Sequence, residues 1–172
     1  MARLSALGVD FEHWCFGCGN QNPIGLHLDF EVFEGRAEAR FTGQRMHQGY
    51  DETIHGGVVT ALLDETMGWA IFHSGVWAVT GKIAVTFRGP VRVGQPLRVS
   101  GEIVRDRGRA IEARGALRHE TTGEVLAEAE ALFLRMPEAR RDELERRYAT
   151  TSDTFARVRA AVAAERHDGR ER

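Results

Sequence analysis

A chain of 172 residues with 25 acidic and 23 Lys or Arg side chains, a formal charge of -2 and 42% hydrophobic residues has room for one domain with a real core and not for two comfortable ones. The near balance of charge excludes the basic excess of a nucleic-acid-binding protein and the apolar content excludes a disordered chain, so a small molecule is the expected partner. No apolar run reaches the roughly 18 to 20 residues of a membrane span, and MARLSALGVDFEHW lacks the long apolar stretch of a secretory signal, so a soluble, cytoplasmic protein with reduced thiols is expected.

Both cysteines stand near the start, in CFGCG at 15–19. Cys15 and Cys18 cannot staple a fold of this size, and their CxxC spacing, with His13 close by, supplies only half the ligands of a tetrahedral zinc site. The expectation is a tight loop permitted by Gly17 and Gly19, without metal. Next, LHLDFEVF at 26–33 alternates Leu26, Leu28, Phe30 and Val32 against His27, Asp29 and Glu31, and Glu34-Gly35 turns it into RAEARFT at 36–42, which predicts a hairpin.

The centre of the chain is HGGVVTALLDETMGWA at 55–70. From Val58 to Phe72 the apolar residues run nearly all the way round a helix, which predicts a buried one with the sheet wrapped about it. Two acids, Asp64 and Glu65, interrupt that run. A lone buried carboxylate is costly and ends with a raised pKa, a partner or a functional role. Adjacent helical residues point about 100° apart, so the two acids need not share an environment. Glu65 is read as structural. Gly56 and Gly57 leave backbone N–H groups bare at the positive end of the helix dipole, where a developing oxyanion would be stabilised. Asp64 lies eight residues on, about 12 Å along the axis, too far to share one reacting carbonyl with Gly56 of the same subunit. In a two-fold dimer with antiparallel helices, Asp64 of one chain would face Gly56 of the other.

Four further strand-like runs follow, at 79–88, 97–105, 109–118 and 124–135, with hairpin-length turns at Arg107-Gly108 and Thr122-Gly123 that make the neighbours they join antiparallel. From Pro137 to Arg172 the composition changes to 9 Arg and 8 acidic residues, with Leu144, Tyr148, Phe155, Val158 and Val162 on one helical stripe. The division expected is a domain over 1–136 and an amphipathic helical extension over 137–172, packed on the domain or on a partner subunit.

The motif HGGxxxxxLD, the strand-like VTGKIAVTFRGPVRVGQPL and the upstream CFGCGNQNPIGL together resemble the PaaI-like hotdog-fold acyl-CoA thioesterases, a group that includes the THEM proteins, over roughly residues 14–136. The resemblance implies an α+β fold in which an antiparallel sheet wraps one long central helix, an obligate homodimer often paired into a homotetramer, and hydrolysis of acyl-CoA thioesters without metal or cofactor. It assigns Asp64 as general base or nucleophile, the Gly56 N–H as the donor that polarises the thioester carbonyl, and the Thr80 hydroxyl as an aid in placing the attacking water. Where some members carry an Asn six residues before the motif histidine, this chain has Gly49, flanked by Gln48, whose amide is the available substitute.

The remaining candidates come from residue chemistry. His55 is counted with the catalytic group, although its place before two glycines suits a residue that shapes the turn through local hydrogen bonds. Gly57 joins the substrate-binding set with Gln48. Lys82, Arg88 and Arg92 are cations that could hold CoA phosphates. Met67, Trp69 and Phe72 are candidate walls of an acyl pocket, with core packing as the competing role. Two other functions use the same residues: a hotdog hydratase or dehydratase, for which His55 would be essential, and a non-catalytic acyl-CoA-binding protein, which would tolerate Asp64→Asn.

Overall fold

The computed structural model describes residues 2–3 and 14–149. Its elements are β1 (Ala2–Arg3), β2 (Phe30–Phe33), β3 (Arg36–Thr42), a short 3-10 turn at Arg45–His47, α1 (Gly56–His73), β4 (Ala78–Phe87), β5 (Pro96–Asp106), β6 (Ala110–His119), β7 (Val125–Arg135) and α2 (Glu138–Ala149). The strands form one antiparallel sheet in the order β1-β2-β3-β5-β6-β7-β4, and α1 packs across β5, β3, β6 and β4. This is the helix-on-sheet α+β architecture the sequence predicts. No helix among the described residues is long and apolar enough to cross a membrane.

The strands follow from alternation. On β7, Ala127, Ala129, Ala131 and Phe133 are buried against the core while Glu128 and Glu130 face away. Gly108 and Gly123 take φ of 78° and 74°, the left-handed backbone that lets the β5–β6 and β6–β7 connections reverse so tightly. The helix reaches the sheet closely because residue 101 has no side chain: a Cβ there would lie 2.7 Å from the Met67 nitrogen. Met67, Leu62, Leu63 and Ile71 are fully buried in the resulting core. Truncating one of them to Ala costs about 2–5 kcal/mol.

One expectation changes and one is sharpened. The strand expected from residue 26 begins at Phe30, because Leu26 N–H donates to Phe16 O (2.7 Å) and Leu28 N–H to Gly17 O (2.9 Å), so this segment bonds to the cysteine loop instead of to β3. Leu26 and Leu28 still alternate into the core, with His27 between them at φ 50°. The helix is also not covered on every side: Ala61, Asp64 and Gly68 are half-buried and Gly57 is exposed, a stripe at helical spacing left open in the single chain.

β4 is an edge strand. Among the described residues it pairs only with β7, and the register slips between Thr80 and Lys82, so that Gly81 is an extra residue. Val79 and Phe87 are each 50% exposed on it. After β7 the chain enters α2, which contains Leu144 and Tyr148 of the expected apolar stripe; Phe155, Val158 and Val162 lie outside the described residues.

Candidate active site

The start of α1 is built by a folded loop. His55 N–H donates to His47 O (2.8 Å), Gly49 N–H to Thr53 O (2.9 Å) and Ile54 N–H to Val91 O (2.8 Å), which fixes the approach to the helix before its first turn. His55 is the N-cap, and its Nδ1 accepts from Gly57 N–H at 2.9 Å. The side chain therefore serves the turn, as its position suggests, and the Gly57 amide is already engaged. Gly56 N–H finds no protein acceptor among the described residues, so it is the amide left to meet a ligand oxygen at the positive end of the helix. Gly49 packs on this turn: a Cβ on it would stand 3.0 Å from His55 Cδ2. An Asn at that position would press on the capping histidine. Gln48 beside it is half-buried and bridges through its backbone to Ile54.

Asp64 occupies the half-open stripe of α1. Its Oδ1 accepts from the Thr80 hydroxyl at 2.7 Å, across the space between α1 and β4. Gly81 bulges out of the ladder, which lets Thr80 and Ile83, three positions apart, face the same side. Thr80 pairs with the buried Phe133 and so stands on the helix side of the sheet, whereas Lys82, after the bulge, pairs with Leu132 on the other side. Asp64 and Thr80 come together in one chain, while Gly56 lies toward the opposite end of β4: a Cβ on Gly56 would meet the Phe87 ring at 3.2 Å.

The candidate cations are spread out. Arg88 pairs with Glu128 at 2.9 Å on the sheet face turned away from α1, the same face that carries Lys82. Arg92 is exposed, and its backbone bridges to Thr53 in the loop ahead of His55. A groove of about 720 Å³ runs along the outer face past Arg36, Ser100, Arg114, Arg118 and Glu128, but it lies across the sheet from Asp64. Met67 is core. Trp69 stacks on Phe30 (ring centres 5.5 Å apart) and meets Phe72 edge-on (5.4 Å), and half-buried Phe72 is the one of the three open to a ligand.

Glu65 points elsewhere. The Cys18 thiol donates to Glu65 Oε1 at 2.9 Å and the Cys15 thiol approaches the same oxygen at 3.4 Å. Burial pushes the Glu65 carboxyl up to about 7. The Cys15 thiol is lowered to about 5, first by its hydrogen bond with Cys18, and that same bond drives the Cys18 thiol upward. Reading Glu65 as structural left these contacts unseen, since the loop and the helix are far apart in the chain; the signal available was a CxxC pair upstream of an acid on an apolar helix.

Residues 51–126 match the family model described as the thioesterase superfamily. The chain is similar to the acyl-coenzyme A thioesterase THEM4 of Mus musculus, 25% identical over 116 residues, which are 65% of this chain and 50% of that protein. It thus spans about half the length of the curated relatives it matches. A crystal structure of a thioesterase superfamily protein superposes with a TM-score of 0.64 at 27% identity, covering 67% of this chain and 60% of that one. A structure from Streptococcus mutans UA159, bound to acetyl CoA, gives a TM-score of 0.60 at 20% identity over 63% of this chain and 88% of that one.

Proposed function

We propose that the central part of this chain, whose residues 51–126 match the thioesterase superfamily, is a hotdog-fold thioesterase domain that hydrolyses acyl-CoA thioesters at two equivalent sites between the subunits of a homodimer. The observation that carries the proposal is the division of the site along β4: the Asp64 carboxylate, held by Thr80, stands near the start of this edge strand, and the free Gly56 amide stands near its end beside Phe87. Antiparallel pairing of β4 with its own copy, about a two-fold axis midway along the strand, sets Thr80 of one subunit against Phe87 of the other. Asp64 then faces Gly56 of the second subunit, twice over. The same pairing covers Val79 and Phe87 and satisfies the open edge of the sheet.

In this arrangement the thioester carbonyl oxygen accepts from Gly56 N–H, whose alignment with the helix dipole favours the negative charge that develops as the carbonyl becomes tetrahedral. Asp64 of the other subunit acts as general base: it takes a proton from water as the water oxygen bonds to the carbonyl carbon. Collapse of the intermediate breaks the carbon–sulfur bond and releases the acid and the CoA thiolate, which then takes up a proton. The Thr80 hydroxyl donates to Asp64 Oδ1 and so fixes the carboxylate, leaving its second oxygen to face the water. His55 positions the Gly56 turn. Phe72 faces the acyl group, and Arg92 is the cation placed to meet a CoA phosphate. The chemistry requires no cofactor, and reduced Cys15 and Cys18 suit work in the cytoplasm.

Subunit mixing tests the proposal. Asp64→Asn and Gly56→Val should each cut release of free thiol from acyl-CoA by about a hundredfold or more, the second because the new side chain runs into Phe87 at the oxyanion turn. When the two variants are mixed and allowed to exchange, each heterodimer carries one site with both groups intact, so activity should return to at most about one good site per heterodimer. An active monomer, or exchanged subunits that never recover thiol release, would sink the shared site. His55-dependent hydration of an enoyl-CoA without thiol release would assign the domain to a hydratase instead.

A further inference from the structure

Among the described residues, one group of side chains has the donors and spacing of a metal site, and it lies outside the thioesterase machinery: Cys15, Cys18 and Glu65, whose ligand atoms all lie within 4.8 Å of one another. We propose that these three residues bind a single zinc ion that clips the N-terminal loop to α1, with the fourth tetrahedral position open to water.

Four observations support the site. The first is the donor set. Two sulfurs and one carboxylate oxygen suit a borderline-soft divalent ion such as zinc, and CxxC is a spacing zinc loops use. The second is shape. Tetrahedral zinc with bonds of about 2.3 Å to sulfur and about 2.0 Å to oxygen separates sulfur from oxygen by about 3.5 Å. The Cys15 sulfur stands 3.4 Å from Glu65 Oε1, close to that separation, and the Cys18 sulfur 2.9 Å, which has to open by about 0.6 Å. The third is the loop itself. The backbone N–H groups of Gly17 and Cys18 turn toward the Cys15 sulfur, and Gly19 N–H donates to Cys15 O at 2.9 Å. Such outer hydrogen bonds orient a thiolate ligand and spread its charge. Gly17 is what allows the loop to close over the acid, since a Cβ there would lie 2.5 Å from Glu65 Cδ. The fourth is enclosure. All three ligand side chains are half-buried, held between the N-terminal loop and α1.

Glu65 completes what the CxxC pair alone lacks. Two sulfurs are half a site; the carboxylate, brought in from 47 to 50 residues away, makes three ligands. His13, close by in sequence, lies outside the described residues. The consequence of binding is mechanical: the clip fastens the segment that buries Leu26 and Leu28 to the residue next to Asp64.

Cobalt is the probe. The full-length chain, reduced and stripped with a chelator, is titrated with Co²⁺ alone and then with Zn²⁺. The site predicts one Co²⁺ per chain, a thiolate-to-metal charge-transfer band in the near ultraviolet, the intense visible bands of tetrahedral cobalt, and loss of both on adding one equivalent of zinc. Cys15→Ser and Cys18→Ser should each weaken the charge-transfer band and the affinity, and Glu65→Gln should keep the band but lower affinity by at least about tenfold. Zinc should also protect both thiols from alkylation in the unmodified protein, a readout that does not depend on any variant folding. A reduced, folded chain that shows no charge-transfer band overturns the site, as does Glu65→Gln binding cobalt as tightly as the parent.

Discussion

Asp64 and Glu65 stand side by side on α1, about 100° apart around its axis, and their surroundings differ in almost every respect. Asp64 looks across a half-open stripe to an edge strand, where one hydroxyl at 2.7 Å holds it and the rest of its surroundings are open in the single chain. Glu65 looks into a closed loop of the same chain, where two thiols converge on one of its oxygens and burial raises it to about 7. One carboxylate is left incomplete by its own chain and the other is surrounded by it. The contrast shows how a single apolar helix can carry two acids: neither is paid for locally, and each is resolved in a different direction.

Removing the charge on the open side gives the largest expected effect. Asp64→Asn should lower kcat by about 10² or more while the melting temperature stays near that of the parent, because a half-buried amide replaces a half-buried carboxylate of the same shape. Near-normal thiol release by this variant would take Asp64 out of the mechanism and erase the contrast. On the closed side the matching change is steric. Gly17→Ala puts a methyl group against Glu65 and should destabilise the fold by about 1–3 kcal/mol, seen as a lower denaturant midpoint, with little change in kcat. A variant as stable as the parent would mean that the loop is not seated on Glu65.

Thr80→Val probes the single contact that holds Asp64. Loss of a hydrogen bond to a half-open carboxylate should reduce kcat by about tenfold with KM little changed, since the hydroxyl orients the base without touching substrate. An effect confined to KM would move Thr80 into substrate binding. The smallest effect belongs to His55→Ala. Loss of the cap on Gly57 N–H should cost about 1 kcal/mol in thermal or denaturant unfolding and part of the rate, leaving at least as much activity as Asp64→Asn. A rate loss exceeding that of Asp64→Asn would make the histidine a chemical participant.

How far the sequence could be read depended on the distance between the groups concerned. The long helix and strands β3, β5, β6 and β7 are written in local periodicity, so their bounds agree with the expected ones to within a residue or two. The stretch at 26–29 alternates as a strand would, yet its backbone partners are Phe16 and Gly17, and alternation says nothing about who the partner is. Asp64 and Gly56 stood out from an acid in an apolar helix and a glycine turn at its positive end, whereas Thr80 was marked only by resemblance, and periodicity alone would have assigned it to the wrong side of its strand. That Gly57 is engaged by His55 needs only two residues and a turn, but the geometry of the turn had to be seen. Glu65 was the least legible, because its meaning rests on two sulfurs about fifty positions earlier.

The extra residue at Gly81 has a bearing on how this strand can change over time. A β-strand counts in twos, and an insertion of one resets the count, so residues on either side of Gly81 obey opposite parity: even numbers face the helix before it and odd numbers after it. Deleting that one glycine would restore plain alternation and leave every facing as it is: Ile83 and Val85 stay packed, Lys82 stays opposite Leu132 on the outer face, and Thr80 stays opposite Phe133 toward Asp64. The change that disconnects the carboxylate is an insertion beside Gly81: with one residue still bulged out, the second would join the ladder, rotate Thr80 to the outer face and turn Val79 inward. Position 81 is thus a place where chemistry can be lost by one codon's gain and kept through one codon's loss, without renegotiating the fold.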